Sequence, residues 1–216
     1  TAYSIQGTPA DCVILGLERL VQGKIDLLVS GINAGANLGD DVFVSGTVGA
    51  ALQGYFRGIP SIAISVTALS EVNFEAAAKL LSNLITENHG LFRSPPSYTQ
   101  NSDKTSGSQD RPLLLNINVP SIPPEKITGV EITHLGNRSY SDDIHEGKVG
   151  RWNWYWISRT KPQPESAPGT DIACIRAQRI SITPLRSDLT DISYFSTLED
   201  TKPILSKGII QENSLK

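Results

Sequence analysis

The sequence predicts an α/β fold, a mostly parallel sheet covered by helices, with a β-rich C-terminal extension. Three observations predict it. Short, nearly continuous apolar runs recur at 25–29, 61–66 and 113–119, the pattern of strands buried on both faces. The first two flank a glycine-rich loop and a helical segment, a strand–loop–helix–strand unit that implies a right-handed parallel crossover. Beyond residue 130 the pattern turns to alternation and aromatic density, as in antiparallel strands.

The elements follow in order. Thr8 can cap a helix, Pro9 suits its first position and Asp11 complements its dipole. Ala10, Val13, Leu17 and Leu20 then recur at helical spacing until Gly23. The strand at 25–29, running on to Ser30, leads into a loop over 31–46. A second helix at 47–56 carries Val48, Ala51, Leu52 and Tyr55 on one face, and Gly58-Ile59-Pro60 stops it. After the SIAISV strand, a third helix at 72–88 places Phe74, Ala77, Leu81 and Leu84 inward, with Gly90 at its end. Residues 94–111 are polar and aperiodic and predict a surface insertion. LLLNINV resumes the sheet and Pro120 halts it. VEITHL at 130–135 alternates, RWNWYWI at 151–157 is a hairpin arm, 160–170 is rich in Pro and Gly, and ISITPL at 180–185 is the last strand. The division is an α/β core over 1–135, a hairpin extension with the final core strand over 136–190, and a tail over 191–216.

Bulk properties exclude several classes. The chain has 216 residues, 39% of them hydrophobic and 19% charged, which is ordinary for a globular protein. No apolar run approaches the ~18 residues of a membrane span. A net charge of −3 provides no basic footprint for a nucleic-acid polymer. Cys12 and Cys174 lack metal-ligand or CxxC spacing and predict two small buried thiols in a reducing compartment. With no signal peptide ahead of the first helix, the expectation is a cytoplasmic protein without membrane contact.

The chemistry concentrates in the loop SGINAGANLGDDVFVSGT, residues 30–47. In open α/β sheets ligands bind beyond the carboxyl ends of the strands, and this loop leaves such an end. Ser45, Gly46 and Thr47 open the next helix, so their amides and two hydroxyls lie at the positive end of its dipole, a seat for phosphate. A Ser or Thr there is also an ordinary cap. The asparagines favour a function, because three glycines already supply the turns. Asn33 and Asn37 each offer an amide oxygen for a hard cation and an NH₂ for phosphate. The glycine spacing is not GxGxxG, no Lys makes a Walker A loop, and no GxSxG frames a serine nucleophile. Asp40 and Asp41 are read as turn charges. His89 is read as a helix-end cap, His134 as part of a strand and His145 as part of a polar loop, none with a partner at metal-ligand spacing.

The string SGINAGANLGDDVFVSGTVGAA closely resembles the signature of the SurE family of nucleotidases, the stationary-phase survival proteins. GTPADCV (7–13), LNINVP (115–120), PGTD (168–171) and SITPL (181–185) are similar too, in the family's order. The resemblance implies a three-layer, Rossmann-like core and a C-terminal hairpin used in oligomerisation, as a homodimer or homotetramer. It implies a phosphatase dependent on a divalent metal, Mg or Mn, that acts on nucleoside monophosphates. Asn33 matches the family's metal-ligand asparagine, and Asn37, Ser45, Gly46 and Thr47 match its phosphate-contacting residues. The family's Asn-Asp-Asp-Gly motif, with its two metal-ligand aspartates, is absent from the 216 residues. The remaining ligands are therefore expected upstream of Thr1, and no residue is assigned as a nucleophile.

Two rivals stand beside the enzyme. One is a non-catalytic phosphate-binding or assembly module, and the other is a phosphatase directed at sugars or polyphosphate. The aromatic arm has two readings of its own. Trp152, Trp154 and Trp156 fall on one face by alternation, and three indoles on a peripheral hairpin favour an interface between subunits over a local core.

Overall fold

The fold is that of a computed structural model, which describes residues 1–68, 70–87, 90–92, 111–137, 142–159 and 167–207. Thr1–Arg186 form one compact unit and Ser187–Lys216 a second. The first unit is built on a five-stranded sheet in the order β1 (Leu28–Ala34), β2 (Ser61–Val66), β3 (Leu114–Val119), β7 (Arg179–Pro184), β4 (Gly129–Ile132). All neighbours are parallel except β3 and β7. Helix α3 (Glu75–Glu87) lies on one face, and α2 (Gly46–Tyr55) packs against β1 and β2 on the other. Helix α1 (Pro9–Leu15) packs on α2, and α4 (Asp171–Arg176) packs on β7. These are the expected three layers.

Strand alternation sorts the two faces. Ile62, Ile64 and Val66 of β2, Leu115, Ile117 and Val119 of β3, and Ile180 and Ile182 of β7 share one core with Ala76 and Ala77 of α3. Each fully buried isoleucine contributes about 1.5–3 kcal/mol, so this face holds the sheet together. The opposite face presents Ala63 and Leu114 to α2, yet most of its other inward residues are polar: Ser61, Ser65, Asn116, Asn118, Ser181 and Thr183. The register aligns Asn33, Ser65, Asn118 and Ser181 as successive partners across β1, β2, β3 and β7. A polar row therefore crosses the sheet at the carboxyl ends of its parallel strands.

Several boundaries differ from the sequence reading for identifiable reasons. The strand expected at 25–29 runs from Leu28 to Ala34, because β2 begins at Ser61 and its pairing, preceded by Leu28 N–H on Pro60 O, decides where β1 starts. Gly31–Ala34, expected as loop, is thus strand, interrupted by a register irregularity between Ser30 and Asn33. Helix α1 stops at Leu15 and continues as a π turn, Gly16–Leu20. Phe74 is exposed, because Asn73 Oδ1 takes the Glu75 N–H at 3.0 Å and the helix starts only there. The predicted insertion at 94–111 falls almost wholly, and His89 entirely, outside the described residues. Cys174 is buried, and burial followed by the nearby Glu131 pushes its thiol up to about 11; Cys12 is only half-buried.

Three elements went unpredicted. Helix α4, capped by Thr170 Oγ1 on the Ala173 N–H, is too short to show a period. Strand β5 (Asp142–Val149) is too polar to read as a strand; its pairing with β6 (Trp152–Arg159) defines it and places His145 in a strand, not a loop. In the second unit the expected tail contains α5 (Phe195–Ser206), preceded by a one-turn 3-10 segment that Asp191 caps through the Ser193 N–H. The Ser193 hydroxyl and N–H hold the Asp191 carboxyl below the ordinary carboxylate range.

In the hairpin, Trp152, Trp154 and Trp156 pair with Val149, Gly147 and His145 and so share one face. The Trp154 ring lies over Gly147, where a Cβ would collide with it. All three indoles are exposed, at 71%, 47% and 66%. Among the described residues they form no local core.

One carboxylate ties three segments of the first unit together. Asp171 is fully buried and accepts the N–H groups of Gly39 (2.8 Å), Gly136 (2.9 Å) and Ile172 (2.8 Å). Asp171→Ala should lower stability by roughly 3–4 kcal/mol, since buried N–H groups lose a charged acceptor. Equilibrium urea unfolding measures it, and a loss below about 1 kcal/mol would contradict the clamp.

Candidate active site

The glycine-rich segment lies beyond the carboxyl ends of β1, β2 and β3. After Ala34 the chain leaves the sheet, passes Asn37, makes a 3-10 turn (Gly39–Val44) and enters α2. Gly39 has φ +52, and a Cβ there would collide with the Gly136 carbonyl oxygen. Only glycine allows that approach, so Asp171 can reach the Gly39 N–H. Gly31, at φ +124, meets the same constraint against the Ile64 carbonyl.

Ser45 is the N-cap of α2, and its Oγ accepts the Val48 N–H at 3.1 Å. The cap role weighed from sequence is therefore present. It leaves the first-turn amides of Gly46 and Thr47 directed along the helix axis, where α-helical geometry provides them no partner. Gly46 is exposed and Thr47 is buried. The dipole of a ten-residue helix favours an anion here by about 0.3–1 kcal/mol, before any hydrogen bond is counted. Against Gly46 stands the ring of Pro9; a Cβ at Gly46 would come within 3.3 Å of its Cγ. The start of α1 thus meets the start of α2. There Thr8 and Asp11 form a reciprocal capping box, and the Thr8 hydroxyl, then its N–H, hold the Asp11 carboxyl below its ordinary range.

Asn33 is half-buried at the end of β1. Its Nδ2 donates to the Gly35 carbonyl at 2.9 Å, which leaves Oδ1 as the remaining polar atom of the side chain. Asn37 is held on several sides. Its N–H donates to Asn118 Oδ1 (2.9 Å), and its carbonyl accepts from Asn116 Nδ2 (2.8 Å) and Asn118 Nδ2 (3.0 Å). Its own Nδ2 donates to Ser65 Oγ (2.6 Å). These partners, together with Asp171, Pro9 and the Thr8 box, were not singled out from sequence as parts of the site. A signal was available: in LNINV two asparagines alternate within an otherwise apolar strand, and buried amides need partners. Asn116 is the exception to that rule, since its Oδ1 is buried with no hydrogen bond. Such an orphan costs about 1–3 kcal/mol.

Two histidines are among the described residues. His134 pairs with Thr170 in an isolated bridge, and His145 Nε2 lies 2.8 Å from Ser158 Oγ within the hairpin. Asp40 and Asp41 occupy the first turn of the 3-10 segment. Among the described residues no group of three or more His, Cys, Asp or Glu side chains could hold a metal ion. Asn33 offers a neutral amide oxygen, whereas hard divalent ions draw on carboxylates. By themselves these residues do not fit a bound divalent ion. What the start of α2 offers is an anion-favouring helix end with the first-turn amides of Gly46 and Thr47.

The model of the survival protein SurE family matches residues 1–142. The chain belongs to this family. The 5'-nucleotidase SurE of Dehalococcoides mccartyi is 40% identical over 203 residues, 93% of this chain and 70% of that protein. The 5'-nucleotidase SurE of Methylobacillus flagellatus is 39% identical over 192 residues, covering 88% and 71%. The crystal structure of the SurE protein from Aquifex aeolicus superposes with a TM-score of 0.71 at 31% identity, covering 91% of this chain and 73% of that one. SurE family nucleotidases are metal-dependent in general.

The cap and the seat can be separated. Ser45→Asp retains an N-cap, so the thermal midpoint should stay within a few degrees. The added carboxylate faces the seat, so inorganic phosphate affinity should fall roughly tenfold or more. Calorimetric titration checks this, and unchanged affinity would move the phosphate away from the start of α2.

Proposed function

We propose that this chain hydrolyses nucleoside monophosphates to nucleoside and phosphate, with the substrate phosphate seated on Ser45, Gly46 and Thr47 and approached by Asn37. The observation that carries this reading is the start of α2, which the chain enters after leaving the sheet at the carboxyl end of β1, where Asn33 stands. Kinship with proteins named 5'-nucleotidase SurE supports it. In this reading the Gly46 and Thr47 amides bind the equatorial phosphoryl oxygens and stabilise charge that gathers on them in the transition state. The buried side of the loop excludes water from beneath the phosphate.

The cofactor we propose is Mg or Mn, with Asn33 Oδ1 as one neutral donor; together with carboxylate ligands that the described residues do not provide, it would hold an ion that would supply Lewis acidity toward a phosphoryl oxygen. Asn33→Ala in the intact protein should reduce metal-dependent p-nitrophenyl phosphate hydrolysis by roughly a hundredfold. Activity equal to wild type would remove Asn33 from the site.

The setting proposed is cytoplasmic, in keeping with two free cysteines. Among the described residues no helix is long and apolar enough to cross a membrane. The assembly proposed is a homodimer or homotetramer joined through the hairpin, supported by the three exposed indoles on one face. Polar replacements at Trp154 and Trp156 should shift the protein to a smaller species in size-exclusion chromatography with light scattering. An unchanged mass would count against the hairpin as the interface.

A further inference from the structure

We propose that Asn116 and Asn118 are positioning residues for phosphate: they grip Asn37 by its peptide groups and so set the geometry on which phosphate affinity depends. The inference rests on the phosphate seat described above. The Asn118 side-chain amide meets both the N–H and the C=O of Asn37, as a neighbouring strand would, and Asn116 adds a second donor to the same carbonyl. Ser65 takes the Asn37 amide. Four hydrogen bonds from three side chains on two adjacent strands thus fix one loop residue.

A purely structural role explains this poorly. Asn116 is fully buried with an unpaired Oδ1, a burden that an apolar side chain at the same position would remove. The opposite face of the same strand shows the alternative, with Ile117 and Val119 completely buried. What Asn116 secures in return is a donor aimed at the Asn37 carbonyl. The register extends the effect, since Asn33, Ser65 and Asn118 are successive partners across β1, β2 and β3. The grip on Asn37 and the Asn33 amide therefore share one rigid sheet. Downstream, Gly39 is held by Asp171 before the chain reaches Ser45. The segment entering the seat is pinned at both Asn37 and Gly39. A displacement of about 1 Å in such a site is enough to cost up to two orders of magnitude in rate.

The test uses the intact protein with Asn116→Ala, Asn118→Asp and Ser65→Ala, and Ile117→Val as a control on the other face of β3. Asn118→Asp keeps an acceptor for the Asn37 N–H but sets a carboxylate oxygen against its carbonyl. Each variant is measured at the same interval below its own thermal midpoint. The probe is inorganic phosphate, titrated calorimetrically and used as an inhibitor of nucleoside monophosphate hydrolysis. Phosphate affinity should fall roughly tenfold in both asparagine variants, with KM rising in step, while Ile117→Val stays within about twofold of wild type. Ser65→Ala should show a smaller loss in the same direction. Constants in the asparagine variants that match the control overturn the proposal. Should those two variants fail to fold, wild-type phosphate affinity in Ser65→Ala overturns it instead. A wild-type protein that binds phosphate without hydrolysing nucleotides sinks only the nucleotidase reading, and one that binds no phosphate sinks both.

Discussion

A peptide group carried into the interior must find partners for its N–H and its C=O, and the architecture of the site follows from how Asn37 meets that demand. The loop that leaves β1 meets the inner-face side chains of β2 and β3, and among the described residues no strand pairs with it. The missing strand is supplied by side chains: Asn118 pairs with both ends of the Asn37 peptide unit, Asn116 reinforces the carbonyl, and Asp171 does the same for the Gly39 N–H. Those side chains must stand on the inner face of the sheet, which is why that face is polar where the opposite one is isoleucine and valine.

This division assigns stability and function to different surfaces of one sheet. The apolar face against α3 holds the fold together with non-directional contacts. The polar face uses directional bonds that specify a loop conformation and tolerate one unpaired oxygen, on Asn116. A site for a small anion needs the second kind of surface, because its donors must be held to within about half an ångström.

How much was legible in the sequence depended on the range of the interaction concerned. β2 was read at its true limits because its apolar run coincides with its pairing, and the Thr8 and Ser45 caps were legible because a cap is a contact across three residues. β1 was misplaced because its limits come from β2, a partner about thirty residues away in sequence. β5 was missed for the same reason, since only its pairing with β6 marks so polar a segment as a strand. At the site, Asn33, Asn37 and Ser45–Thr47 stood out within one loop. The Asn116, Asn118, Ser65 and Asp171 supports lie 28 to 132 residues from the loop residues they hold, and only the crossovers bring them near.

By itself, the sequence determined the α/β class, the capped helix starts and the resemblance of the glycine-rich loop to a family signature. All are properties of composition or of contacts a few residues apart. Tertiary structure decided which residues hold that loop, that α1 begins against the start of α2, and that the three tryptophans remain exposed. Those outcomes depend on register and crossover, which align groups that are distant in the chain and that no local pattern encodes.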